Sequence, residues 1–345
     1  IPVRRSGRVA AARIGLGAFA LGVCGCGGMQ SSLAPAGEGA GDAAWLFWWM
    51  TVGSLVVWVS VMALALHYGR SCGRQDPAPR SHDPRRDRRR ERLLIAGAGV
   101  VVPLASLTPL LIVGLAMLPE AVARAPEGSL TIAITGEQWW WRVSYLQAEG
   151  PAIPLANEVR LPVDEPVQFR LESDNVIHSL WIPSLAGKMD LIPGGTRWLT
   201  VRPTETGIFR GACAEYCGTA HALMALYVEV MERPAFNRWL EQQAASAVAP
   251  DQRDAQAGGE RFLANGCGAC HAVRGTPARG VLGPDLTHVG SRLSIGAGLV
   301  PNRPATLRRW VASTGHMKPG VHMPAFDMLP ASDLDAITAY LSVLR

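Results

Sequence analysis

A chain of 345 residues, 48% hydrophobic and 18% charged, is too apolar for a disordered polypeptide and long enough for two or three domains. Its formal net charge of +5 is concentrated in residues 69–92, where nine arginines face Asp76, Asp83, Asp87 and Glu91. Basic character confined to one short stretch argues against a nucleic-acid partner, and no Ser/His/Asp triad, phosphate loop or paired-carboxylate site competes for an enzymatic role.

In chain order, Arg4, Arg5, Arg8 and Arg13 precede an apolar run over 14–23, the pattern of an export signal too short to span a membrane. Val23-Cys24-Gly25-Cys26 resembles a bacterial lipoprotein cleavage box. Residues 1–25 are therefore expected to be a signal peptide and Cys26 a lipidated residue, with Cys24 the alternative and an uncleaved signal the competing reading. Residues 26–128 read as a transmembrane hairpin. Its uncharged spans, about 45–66 and 93–118, each exceed the ~20 helical residues that cross a bilayer core of about 30 Å. Trp45, Trp48 and Trp49 at one end, and Tyr68 with the arginines at the other, suit the membrane interfaces. The arginine-rich loop 69–92 then faces the cytoplasm by the positive-inside rule, and the remainder lies outside. A pair of buried helices in a soluble domain is the competing reading.

From Ser129 the pattern turns β. Leu130 to Thr135, Val167 to Leu171 and Ala225 to Val230 alternate apolar and polar residues, separated by turn signals at Pro162, Pro166, Pro193-Gly194 and Pro203. An all-β sandwich is expected over 129–233, followed by a linker over 234–256 with an amphipathic start at Phe236 to Leu240. The block 257–345 is helical in pattern. Its expected helices begin near Gly259, Ala305 and Ser332, the last with Ser332 as N-cap and an acid-rich first turn.

Two motifs carry chemistry. Cys213-Ala-Glu-Tyr-Cys217-Gly-Thr-Ala-His221-Ala-Leu-Met224 gathers two thiols, an imidazole and a thioether, and His178 lies in a separate strand-like segment upstream. Sulfur and imidazole donors select copper, zinc or iron over magnesium or calcium. A structural zinc site closes on four Cys or His ligands, whereas a methionine is a familiar axial copper ligand. A Cys213–Cys217 disulfide with unrelated histidines is the bland alternative. Separately, Cys267-Gly-Ala-Cys270-His271 is the attachment signature of c-type haem, with His271 the proximal ligand. Met317, Met323 and Met328 compete for the sixth position.

The copper loop resembles C-x-E-x-C-G-x-x-H-x-x-M of cytochrome c oxidase subunit II, and the resemblance extends over nearly the whole chain. It implies a cupredoxin-like sandwich holding a binuclear CuA centre: Cys213 and Cys217 bridge two coppers, His178 and His221 bind one each, Met224 is a weak ligand, and Glu215 gives its backbone carbonyl. The Glu215 side chain would face a magnesium site shared with subunit I. The segment Gly136-Glu-Gln-Trp139-Trp-Trp141 resembles the family's aromatic stretch, which makes Trp139 the residue where electrons arrive; Trp140 and Trp141 read as packing. Gly283-Pro284-Asp285-Leu286 and Lys318-Pro-Gly-Val-His-Met323-Pro324 resemble the corresponding loops of class I cytochromes c and favour Met323 as the sixth ligand, with His288, His316 and His322 ordinary side chains.

Together these features resemble subunit II of a bacterial caa-type haem-copper oxidase, with a fused C-terminal cytochrome c domain. The resemblance implies subunits I and III as partners, and an external cytochrome c or quinol–cytochrome c reductase as donor. It also implies a bacterial inner-membrane location with both cofactor domains on the periplasmic face, and oxygen reduction with proton translocation in another chain. A nitric oxide reductase subunit and a stand-alone membrane-tethered relay are the alternatives. The match breaks at the second span, where the family's E-x-x-W-T-x-x-P has its proline at Pro103 but Ala96 at the glutamate position. Proton uptake through this chain is not expected from that segment.

Overall fold

A computed structural model of the chain describes residues 27–72 and 84–345. The expected signal peptide, Cys24, Cys26 and the middle of the basic loop lie outside the described residues. The described residues divide into two compact units, 45–123 and a second unit built from the N-terminal residues through Ala44 together with 124–345.

The first unit is helical. Helix α1 is Glu38–Cys72; α2, Pro84–Ala96, runs through a π-turn, Gly97–Val101, into α3, Val102–Val122. Both stretches outrun the expected spans, because arginine is a good helix former and the basic residues 85–92 extend the second one. The π-turn has a local cause. Pro103 has no N–H to return to the preceding turn, and the backbone ahead of it widens, closed by the Val102 N–H on the Gly97 carbonyl. Leu55, Trp58, Leu107 and Ile112 are all more than half exposed, and apolar residues cover every side of both helices. A helix apolar all round is stable only where something other than water covers it; both stretches are long and apolar enough to cross a membrane.

The second unit holds a β-sandwich and a helical haem-type half. The strands are β1 Leu130–Glu137, β2 Trp140–Leu146, β3 Ile153–Ala156, β4 Glu158–Pro162, β5 Val167–Ser173, β6 His178–Trp181, β7 Met189–Leu191, β8 Arg197–Val201, β9 Gly207–Cys213 and β10 Ala225–Met231. They form two five-stranded sheets, ordered β3-β2-β1-β5-β8 and β4-β10-β9-β6-β7. Pairing is antiparallel except for β1 with β5 and β10 with β4. Alternation along β1 and β2 sends Ile132, Ile134, Trp141, Val143 and Tyr145 inward, where they meet Phe169, Leu171, Leu180 and Val228.

Here the expected linker is corrected. Helix α4, Arg233–Ala244, fills its first half, and Phe236 and Trp239 are buried against Tyr145 of the sandwich. The apolar spacing at 236 and 239–240 is that of a packed helix face. Only 245–252 is irregular, and it is tied down: the Ala247 N–H donates to the Arg274 carbonyl (2.9 Å), and the Arg274 guanidinium donates to the Ala244 carbonyl (2.8 Å).

The C-terminal half packs α5, Arg253–Ala264, against α9, Ala331–Val343, with Phe262 on Tyr340. Between them lie the one-turn α6, Cys267–Cys270, then α7, Pro304–Ala312, and α8, Thr314–Met317. Two boundaries differ from expectation. Helix α5 starts at Arg253, ahead of Gly259, and α9 is capped at Pro330 with no side-chain cap. Ser332 is thus already inside the helix, because the extended backbone of Pro330 (ψ 143°) delivers the chain one residue before Ala331. Asp333 keeps the expected acidic first turn.

Candidate metal and haem sites

Backbone pairing assembles the metal site. Strand β6 lies beside β9 in the register Leu180↔Cys213, so His178 near one end of β6 approaches the thiol that ends β9. The loop from Cys213 returns through a short 3-10 turn, His221–Leu223, and the Cys213 N–H donates to the Met224 carbonyl (2.9 Å), closing it. His178 Nδ1, Cys213 Sγ and Cys217 Sγ all lie within 4.8 Å of one another, and all three residues are buried. The two sulfurs are 3.8 Å apart, His221 Nδ1 is 3.5 Å and Met224 Sδ 3.9 Å from Cys217 Sγ, and the Cys213 thiol donates to the Glu215 carbonyl (3.2 Å). Every group expected at this centre is therefore in one place. The sulfurs are both free thiols, which removes the disulfide reading.

Partners beyond the donors orient them. His178 Nε2 pairs with Asn175 Oδ1 (3.2 Å), which leaves Nδ1 facing Cys213. The Trp141 ring meets the His178 ring edge-on at 6.0 Å. A Cβ on Gly136 would stand 2.7 Å from the His178 ring, so only glycine leaves that imidazole room. The two thiols share their proton economy: Cys213 is pushed toward the thiolate chiefly by the hydrogen bond with Cys217 and then by His178, while Cys217 is pushed up by that same neighbour. A soft, partly ionised sulfur pair flanked by two imidazoles and a thioether suits copper.

The haem-type half lines most of an open cavity of about 580 Å³, with apolar walls from Phe262, Leu307, Val311, Ile337 and Leu341, with Cys267, Cys270 and His271 beside them, and with Trp139 of the sandwich on the far side. An apolar cavity of this size beside two free thiols fits a covalently attached macrocycle. His271 Nδ1 donates to the Pro284 carbonyl (2.8 Å), which fixes the tautomer and keeps Nε2 available as a ligand. Burial holds the His271 pKa below the usual imidazole value, so the ring is neutral as a ligand must be. Of the three methionines in contention, Met323 lines the cavity; Met317 and Met328 do not, and Met328 is 72% exposed. The Thr314 hydroxyl donates to the Met323 carbonyl (2.9 Å) and steadies that loop. His288 is buried with Nε2 on the Ala245 carbonyl (3.1 Å), a structural role.

The two sites meet at Trp139. Its indole N–H donates to the Cys217 carbonyl (2.9 Å), while its residue borders the haem-type cavity and its ring lies 6.0 Å from that of His322. The halves are further joined by the Ala225 N–H on the Ala297 carbonyl (2.9 Å) and the Leu293 N–H on Glu158 Oε2 (2.8 Å). Burial raises the Glu158 pKa, opposed by the Leu293 N–H and by Arg160 and Arg292. Sequence reasoning missed Lys318. It is 1% exposed, and its Nζ donates to the Trp139 carbonyl (2.7 Å) and the Gly296 carbonyl (2.9 Å). A lysine beside Pro-Gly in a loop gives no periodic signal of burial.

Known proteins are similar to the two halves separately. Residues 151–231 match the family model "Cytochrome C oxidase subunit II, periplasmic domain", and 255–345 match the cytochrome c family. Among relatives, cytochrome c oxidase subunit 2 of Alkalihalophilus pseudofirmus is 36% identical over 219 residues, covering 64% of this chain and 62% of that protein. The protein of the same name from Bacillus sp. (strain PS3) is 31% identical, covering 64% of this chain and 63% of the relative. That of Bacillus subtilis is 30% identical, with 64% of each covered. The chain thus spans somewhat under two thirds of the length of the relatives it matches. Residues 151–231 are thus similar to the periplasmic domain of cytochrome c oxidase subunit II, and residues 255–345 to the cytochrome c family.

Proposed function

We propose that this chain is the electron-accepting subunit II of a caa-type terminal respiratory oxidase in a bacterial inner membrane. In this reading α1 and the α2–α3 stretch anchor it, residues 69–92 face the cytoplasm, and both cofactor domains stand on the periplasmic side. Cys267 and Cys270 would hold a c-type haem through their thiols, with His271 and Met323 as the residues that would ligate its iron. His178, Cys213, Cys217, His221, Met224 and the Glu215 carbonyl hold a binuclear copper centre, and the Glu215 carboxylate faces a magnesium ion shared with subunit I. Haem and copper supply one-electron chemistry; the chain's own residues supply the ligands, the orientation and the route. Electrons from an external cytochrome c or its reductase arrive at the haem half, pass by Trp139 to the copper half, and leave for subunit I, where oxygen is reduced and protons are moved. Subunit III completes the expected assembly.

The observation that carries the reading is the double contact of Trp139, on the wall of the haem-type cavity and on the Cys217 carbonyl at once. Metal analysis and electron paramagnetic resonance on the detergent-purified protein test it. About two coppers per haem, with one unpaired electron shared over both coppers and an oxidase core chain co-purifying, is the expected result. A single copper or a zinc would remove the binuclear centre, and a lone chain would remove the oxidase. Met323→Ala should abolish the sulfur-to-iron charge-transfer band of the ferric haem; its survival would move the ligand to Met317 or Met328.

A further inference from the structure

We infer that Lys318 is a positioning residue, a buried latch whose Nζ ties the loop bearing Met323 to the backbone of Trp139 and so holds the haem half in register on the copper half. The inference rests on the proposed passage between the two halves by way of Trp139. Its support is geometric. A lysine that is 1% exposed makes its two hydrogen bonds to one acceptor on each side of the interface, Trp139 O in the sandwich and Gly296 O in the haem half. Both hydrogen-bond acceptors are neutral carbonyls, with the Cys217 sulfur the titratable group nearby, and burying an amine on such partners is a costly arrangement that apolar packing would avoid. What it provides is direction: three N–H donors on one point, two of them committed to carbonyls of different domains.

Two residues further on, Gly320 lies flush on the indole. A Cβ there would stand 3.0 Å from the Trp139 ring, at a backbone φ of +82°. The loop therefore meets Trp139 at its carbonyl and at Cζ3 and Cη2 of its ring, while the indole N–H donates to the Cys217 carbonyl. Removing the Lys318 donor strands two carbonyls at the interface, and the loss falls on docking rather than on either core. The sandwich core and the helical core are separate apolar clusters.

The test uses the full-length, cofactor-loaded protein as wild type, Lys318→Met and Lys318→Gln. Hydrogen exchange is followed at the Ala225 and Leu293 amides, which bond across the interface, and at Phe209, Gly211, Val228 and Val230 within the sheet as internal controls. Loss of a charged donor predicts exchange at the two interface amides on the order of 10- to 100-fold faster in Lys318→Met. Lys318→Gln should be intermediate, with controls, haem spectrum and copper resonance unchanged. After flash reduction of the haem, one electron leaves ferrous haem and reduces the copper centre; that rate should fall with the protection, at unchanged potentials. Unchanged interface exchange in both variants overturns the latch. A lowered haem potential with unchanged exchange also overturns it, making Lys318 a partner of the haem carboxylates; loss of the haem spectrum in both variants makes it a folding residue. If wild type passes no electron from haem to copper, the proposed function fails instead, and the exchange data alone decide the latch.

Discussion

The copper half and the haem half solve the same problem, placing redox ligands, by opposite means. In the sandwich, sheet register brings His178 beside Cys213 and the loop to β10 folds back on itself, so backbone pairing makes the donors converge and their neighbours orient them. In the helical half, α5, α7 and α9 line a cavity of about 580 Å³ whose other wall is the Trp139 segment of the sandwich. A metal ion is small enough for a protein core to close around its place; a macrocycle is not. Proteins pack their interiors at crystal-like density, so apolar walls set that far apart suit a macrocycle rather than an ion.

The comparison breaks most visibly if the haem cannot attach. The apolar walls from Phe262, Leu307, Val311, Ile337 and Leu341 meet through whatever occupies that cavity, so a covalently held macrocycle supplies much of the packing of this half. Cys267→Ser with Cys270→Ser should leave the helical half without fixed tertiary structure while the sandwich persists, read by near-ultraviolet circular dichroism and by proteolysis confined to 253–345. Stripping copper with a chelator should have no such effect on the sandwich.

A second, smaller effect lies at the interface. Burial pulls the Lys318 pKa down to about 7, opposed by the nearby Cys217 thiol. Above that pH the folded chain releases a proton that the unfolded chain retains to about 10.4. Folded stability from this group is therefore lowest below pH 7 and rises between pH 7 and 10, by up to about 1.4 kcal/mol per pH unit. Denaturant midpoints of the haem half, wild type minus Lys318→Met, isolate this slope. The neutral amine still has two N–H groups for its two carbonyls, so the docking contact survives the titration.

Within the copper half, Gly136→Ala sharpens the claim of preorganisation. The new methyl displaces His178, and copper affinity should drop about 10- to 100-fold, as for loss of an orienting partner, with the β-sheet circular dichroism unchanged. Competition with a copper chelator measures it. The smallest effect belongs to Met328→Ala, which at 72% exposure and off the cavity should shift stability by less than about 0.5 kcal/mol and leave the haem spectrum as it was.

How much of this was legible in the sequence follows from range. The copper loop and Cys267 to His271 are local, so the twelve-residue and five-residue patterns carry their chemistry on their face. Strands β1, β5 and β10 were readable because alternation reports a half-buried sheet. Helix α4 was not, since its Ala- and Gln-rich sequence resembles a linker until Phe236 and Trp239 find Tyr145. The cap of α9 was misread because a serine near an acid-rich turn signals a start, while the actual boundary was set by the backbone of Pro330. Lys318 and Glu158 were beyond reach for a different reason. Their burial exists only once two domains meet, and no window of sequence contains both.

The irregular stretch 245–252 also sets how the halves behave when they part. Eight residues reach at most about 27 Å fully extended, so a released haem half stays close to the sandwich at a local concentration on the order of millimolar. A soluble protein competing for the indole of Trp139 must outbid that permanent neighbour. The tether converts a binding event into a folding-like equilibrium, one that dilution does not weaken.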